Sequence, residues 1–304
     1  MSNWYYMKKV NPVPALFILF VLLCLNGNTQ TTGSYQQEIN NWHKQRIRDL
    51  KAENGWLNLT GLLWLEQGRN NFGSAADNQL VFPKGTIPKH AGYFYRDNDT
   101  VSMTIFTGVP VTIMGKPVNN SLLFQNDTTV PVISAHGNLR WTIIKRGNRL
   151  AVRLRNLDHA QLKQFKGIKR FPVDTAWKIT ATLQTKHLAG TIPITNVLGQ
   201  TSNLKLAGRL HFTINNQSYS LDALEEGDEL FIIFADATNA KKTYPSGRFL
   251  YVNKPGADGQ IFIDFNKAIN PPCAFTPFAT CPLPPRQNRL PVPVTAGEQR
   301  YAHQ

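Results

Sequence analysis

The residues best suited to chemistry cluster between Asp236 and Asn288. Within I-F-I-D-F-N, read as a strand, Asp264 and Asn266 share one face, opposite Ile263 and Phe265. Arg248 opens the run R-F-L-Y-V after the turn Tyr244-Pro245-Ser246-Gly247, Asp236 follows F-I-I-F-A, and Asn270 precedes Pro271-Pro272. Two chemistries suit this set. In one, the residues line a pocket. Tyr244 and Asp264 serve as acid and base, Arg248 clamps an anion, and Ser246, Asn266, Asn270 and Asp236 add hydrogen bonds. In the other they brace the fold. Arg248 and Asp264 then form a bidentate ion pair, and the amides bond carbonyls of a proline-rich chain that has few N–H donors of its own.

A second group is cationic. Lys145 to Arg170 holds nine Lys or Arg against one acid, Asp158. Arg149, Arg153 and Arg155 alternate with Leu150, Val152 and Leu154, so the arginines share one face of a strand. That face is either solvated or turned toward an anionic ligand such as a polysaccharide, a lipid head group or a carboxylate. Cys273 and Cys281 lie eight apart in C-A-F-T-P-F-A-T-C. A disulfide closing a proline-rich loop is the leading reading, and a nucleophilic thiol would need a histidine from elsewhere, because none lies between Asp236 and Ala302.

Other chemistries leave no trace. The sequence has no G-x-S-x-G elbow, H-E-x-x-H pair, P-loop or G-x-G-x-x-G turn. Its seven histidines lack metal-ligand spacing, so neither a metal nor a cofactor is implied.

The elements that must position these groups are mostly strands. Short β-rich runs recur between turn residues from Leu57 to Phe265, without the intervening helices of a βαβ fold. Two hairpins stand out, one through Gly147-Asn148 and one through Asn215-Asn216. The pattern predicts a mainly β chain, built of antiparallel sandwich- or barrel-like sheets. An amphipathic helix over Tyr35–Asn54 precedes them, with Ile39, Trp42, His43, Ile47 and Leu50 at helical spacing, Ser34 as cap and Gly55 as stop. A short helix is expected within His159–Lys166. Eight prolines between Pro271 and Pro293 predict an extended arm anchored by Phe275, Phe278, Leu283 and Leu290. The reading is one domain over 35–300, with a soft subdomain boundary near 171.

Lys8 and Lys9 precede an unbroken apolar run, Ala15 to Leu25. Eleven helical residues span only about 16 Å, half of a bilayer core, so 1–27 reads as a signal peptide rather than a membrane anchor. Export to the periplasm or beyond is expected, with lipid anchoring through Cys24 the lesser alternative. The 304 residues are 42% hydrophobic and 17% charged, which excludes a disordered chain, and the formal charge is +14. Nucleic acid, the usual partner of a basic chain, falls with export.

T-Y-P-S-G-R-F-L (243–250), D-F-N-K-A-I-N-P-P-C-A-F (264–275), C-P-L-P-P-R-Q-N-R-L (281–290) and A-G-E (296–298) resemble a family catalogued as domain of unknown function 1684. G-W-L-N-L-T-G-L-L-W-L (55–65) and F-G-S (72–74) are similar to that family's opening. Ile269 stands where its motif has tyrosine. The resemblance implies a single domain, often exported, and carries over no activity and no catalytic residue. The expected function is binding of a small anionic or carbohydrate ligand. A hydrolase built on Asp264, Tyr244 and Arg248, and a structural envelope protein, are the alternatives. Oligomeric state leaves no signal in the sequence.

Overall fold

Strands form here because burial alternates along the chain. Thr100–Ile105 reads T-V-S-M-T-I and alternates between half-buried and buried side chains from end to end, as a period of two requires. The computed structural model describes residues 16–126, 130–256 and 259–301, with side chains from residue 33 onward. The chain is mainly β and antiparallel, as its turn spacing implied. One short parallel pair, Phe72 with Leu80 and Gly73 with Val81, is the exception among the described strands.

Three sheets result. A six-stranded sheet runs Leu59–Trp64, Arg149–Asn156, Leu139–Arg146, Ser134–His136, Thr112–Ile113 and Lys116–Pro117. A five-stranded sheet of residues 68–125 packs on it over one core, where the rings of Phe72 and Phe94 lie 4.6 Å apart and Phe82 meets Trp141 edge-on at 5.7 Å. The third sheet has seven strands between Lys178 and Asp264, and its ends curl toward each other as a nearly closed barrel. Phe265 fills the core of this sheet, meeting Phe234 at 5.4 Å and Trp177 at 5.9 Å.

Both expected hairpins form. Arg146 pairs with Arg149 across Gly147-Asn148, and Gly147 takes a φ of 59°. Asn215 and Asn216 both adopt positive φ, 49° and 63°, between Ile214 and Gln217. Two left-handed central residues give the turn whose twist suits antiparallel strands.

Helix α1 spans Leu16–Lys51, so it runs through Ser34 and does not use it as a cap. Its far end stops three residues short of Asn54, and a side chain from further along takes the carbonyls that follow it. The Asn58 amide donates to Ala52 O and Glu53 O at 2.9 and 2.7 Å, closing a terminus that would otherwise leave acceptors bare. Gly55 makes this return possible: a β-carbon there would meet Leu50 O at 2.3 Å. Ile39 and Leu50 are fully buried. Residues 1–15 of the expected leader lie outside the described residues. Among the described residues no helix is long and apolar enough to cross a membrane. Helix α2 is Ala160–Gln164, within its expected range.

The proline arm is ordered by anchors rather than by ladders. Phe275 is fully buried and Leu290 nearly so, and the Asn288 amide ties the arm to two strands. It donates to Asp222 O and Ile233 O at 2.8 and 2.9 Å and accepts from Asp222 N at 2.7 Å. Cys273 and Cys281 lie at disulfide distance, with Cα atoms 6.1 Å apart.

Candidate anion-binding site

The residues picked for acid–base chemistry do not converge on one pocket. Arg248 is completely buried, and its ion-pair partner is Asp236 at 2.8 Å, not Asp264. The reason lies in topology. Asp236 follows the strand whose Phe234 pairs with Arg248, which sets its carboxylate beside the guanidinium, whereas Asp264 Oδ1 is taken by Tyr35 and Asn266. Arg248 also donates to Ala296 O and Val294 O, and Asp236 accepts from Val294 N and from Thr238. The pair therefore clamps the end of the proline arm. Burial pulls the guanidinium below its ordinary range, and Asp236 opposes the shift.

The other members also serve as braces. The strand stops at Asp264, so Asn266 sits in a 3-10 turn rather than further along the strand face. Asp264 Oδ1 accepts from Asn266 N and from the Tyr35 hydroxyl at 2.8 Å, while Asn266 bonds both backbone groups of Asp174. Burial and the Asp264 carboxylate push the Tyr35 hydroxyl well above its usual range. Asn270 is bound by Glu298 Oε2 through both its amides, at 2.6 and 3.0 Å. Tyr244 packs apart from these, beside Leu50, Leu57 and Phe275, and burial raises its hydroxyl. Ser246 is exposed in its turn.

The cationic stretch is different. Leu150, Val152 and Leu154 enter the core, as their spacing implied. The opposite face is not simply solvated. Across the hairpin it carries Arg140 opposite Arg155 and Arg146 opposite Arg149, like-charge pairs that destabilise a ladder unless something compensates. Among the described residues one carboxylate, Glu53, pairs with this set, holding Arg140 at 2.7 Å. Arg155 donates to Gly55 O and Asn58 Oδ1, and Arg149 stacks on Trp64 at 3.9 Å. Arg146 donates to Thr280 Oγ1 at 2.9 Å, on the loop between the two cysteines.

Arg153 has no such partner. Its Nε is buried without a hydrogen bond, and the guanidinium lies 5.4 Å from the Trp56 ring centre. Burial, then the charges of Arg146 and Arg155, pull its pKa down to about 10. Burial likewise lowers Arg146 and Arg155. Arg153, Arg146 and Arg46 line a cavity of about 420 Å³, walled by Trp56, Tyr251 and the cystine loop. Arg46 is held there by Glu298 at 3.3 Å and by Asn270 O, so the braces at the arm also set its position. Ile269 is on the wall, and Glu226 is the one acid among the lining residues. Arg153 also borders a smaller cavity of about 230 Å³ with Trp141, whose Nε1 is a buried donor without a partner. A group of arginines in one cavity, short of counter-charge, can hold a carboxylate or a phosphate by charge-assisted hydrogen bonds.

Sequence reasoning found Arg153 and missed its surroundings. Arg146 lies in the same basic stretch, but Arg46, Trp56 and Tyr251 come from other segments, and only the alternation of Arg149, Arg153 and Arg155 signalled the face.

No curated protein matches the chain. Among solved structures, it is similar to the solution NMR structure of an uncharacterized protein from Haloarcula marismortui, at 29% identity and a TM-score of 0.38, over 46% of this chain and 79% of that one. It is also similar to a structure from a study of phosphothreonine-dependent FHA domain interactions, at 15% identity and a TM-score of 0.22, over 30% of this chain and 79% of that one. A family model described as "Protein of unknown function (DUF1684)" matches residues 163–299. That span holds the Tyr244, Asp264, Cys281 and Glu298 motifs, while 55–65 and 72–74 fall outside it, so the cavity has one wall from the matched segment and one from before it. The C-terminal segment of this chain, residues 163–299, is thus what resembles the DUF1684 family.

Proposed function

We propose that this protein binds a small anionic ligand, carrying a carboxylate or a phosphate, in the cavity of Arg46, Arg146 and Arg153, and that it does so outside the cytoplasm. The observation that carries the reading is Arg153: half-buried, without a carboxylate partner, and set between two further arginines. A cation so placed is costly unless an anion joins it, which is how a binding site differs from a structural ion pair. The apolar run behind Lys8 and Lys9 supports export.

The test is a titration of the purified protein with inorganic phosphate, sulfate and glucuronate, followed by calorimetry and thermal melting. Binding that weakens with salt and is lost in Arg153→Met is the expected result. Melting curves unmoved by every anion at millimolar concentration would overturn the reading.

A further inference from the structure

We infer that the ligand of the arginine cavity is an acidic oligosaccharide, with its anionic unit on the arginines and its neutral sugar units in the adjoining cavity. This rests on the anion-binding reading and goes further by naming the ligand class. The adjoining cavity is larger, about 700 Å³, and Tyr251 lines both. Helix α1 borders the two as well. Glu38, Trp42 and Arg46 stand four residues apart, so they form one stripe along the helix. Glu38 and Trp42 face the larger cavity, and Arg46 the arginine cavity. The stripe is about 12 Å long from first to last residue, the reach of an oligosaccharide rather than of a single small anion.

The charge of the two cavities differs in kind. The larger one sets Glu38, Glu229 and Asp264 against Lys178, Lys254 and Lys267. These charges answer one another: Lys267 bonds Glu38 at 2.8 Å and lies 4.0 Å from Asp264. No excess charge remains there to attract an ion. What remains are many donors and acceptors together with aromatic faces, since Tyr251 and Phe262 are large hydrophobic side chains left about two-fifths exposed. Hydroxyl groups suit the first and the C–H face of a sugar ring suits the second. A single-stranded nucleic acid fits worse, because it would carry a phosphate at every unit past three carboxylates.

The experiment compares four probes on the full protein by calorimetry: inorganic phosphate, glucuronate, neutral xylotriose, and xylotriose bearing one glucuronate. The acid-bearing tetrasaccharide is expected to bind about tenfold tighter than glucuronate, as joined subsites should give. Phe262→Ala, or Asn253→Ala as a second exposed position, should remove that gain and leave glucuronate and phosphate binding unchanged. Arg153→Met should weaken all three anionic probes. A tetrasaccharide that binds no tighter than glucuronate overturns the inference while the anion reading stands. Absence of binding by phosphate and glucuronate alike overturns the anion reading, and the inference with it. In a separate titration, a charge-matched oligonucleotide that binds tighter than the tetrasaccharide also overturns the inference.

Discussion

The Arg153 guanidinium lies over the ring of Trp56, 5.4 Å from its centre, and no carboxylate among the described residues shares it. A cation–π contact offsets part of the cost of burial but leaves the charge uncompensated. Arg153→Met keeps the apolar stem and removes that charge. Its unfolding free energy in urea is therefore expected to hold or to rise, by up to about 1 kcal/mol, while anion affinity falls more than about tenfold. A clearly destabilised variant would show that the arginine braces the fold instead.

Asp236 and Arg248 should behave in the opposite way. Both are completely buried and clamp the arm at Val294 and Ala296. Asp236→Asn leaves the guanidinium buried without its counter-charge, at a cost of about 3 kcal/mol or more. Equilibrium unfolding measures the loss, and phosphate binding by the fraction still folded should match the parent protein. A stable Asp236→Asn chain that had lost anion binding would reassign the pair to the site.

The cystine loop joins stability to binding. The chain-entropy model gives a loop this small roughly 2.5 kcal/mol, and Thr280 within it holds Arg146. Replacing both cysteines with serine is expected to lower stability by about that amount and to weaken anion binding several-fold. Thr280→Val separates the two effects, since it loses the hydrogen bond and keeps the loop. Undiminished binding in both variants would remove the loop from the site.

His43 on α1 sets a pH response. Burial, reinforced by Arg170 and Arg46, pulls its pKa below the usual 6.5 against the opposing pull of Glu298. The folded state then binds its proton less readily than the unfolded chain does. The stability this contributes is present above pH 6.5 and is lost as pH falls through the lowered folded value. Melting temperature between pH 7.5 and 5 should drop less in His43→Phe than in the parent. Equal slopes would rule His43 out.

Much of the architecture is written in local pattern. The alternation of Leu150, Val152 and Leu154 with arginines marked a strand and its inner face, and the Asn215-Asn216 pair marked a turn that needs positive φ. Strands without such alternation were not legible. Gly68–Gly73 (G-R-N-N-F-G) and Asn120–Gln125 (N-S-L-L-F-Q) carry few apolar residues at a period of two, and they are strands because their sheet neighbours supply the ladder. Sheet context outweighs propensity for such segments.

The sequence by itself determined the mainly β class, the N-terminal helix, the arm and a cationic face on the strand Arg149–Asn156. Only the tertiary structure decided which charge meets which. Sequence spacing paired Arg248 with Asp264, and the register that sets Phe234 opposite Arg248 brought in Asp236 instead. The same holds for the cavity. Arg46, Trp56, Arg153 and Tyr251 lie up to 205 positions apart in the chain, and periodicity reports only neighbours within a few residues. Ion pairs and cavities depend on distances across the fold, and those exist only once the sheets have packed.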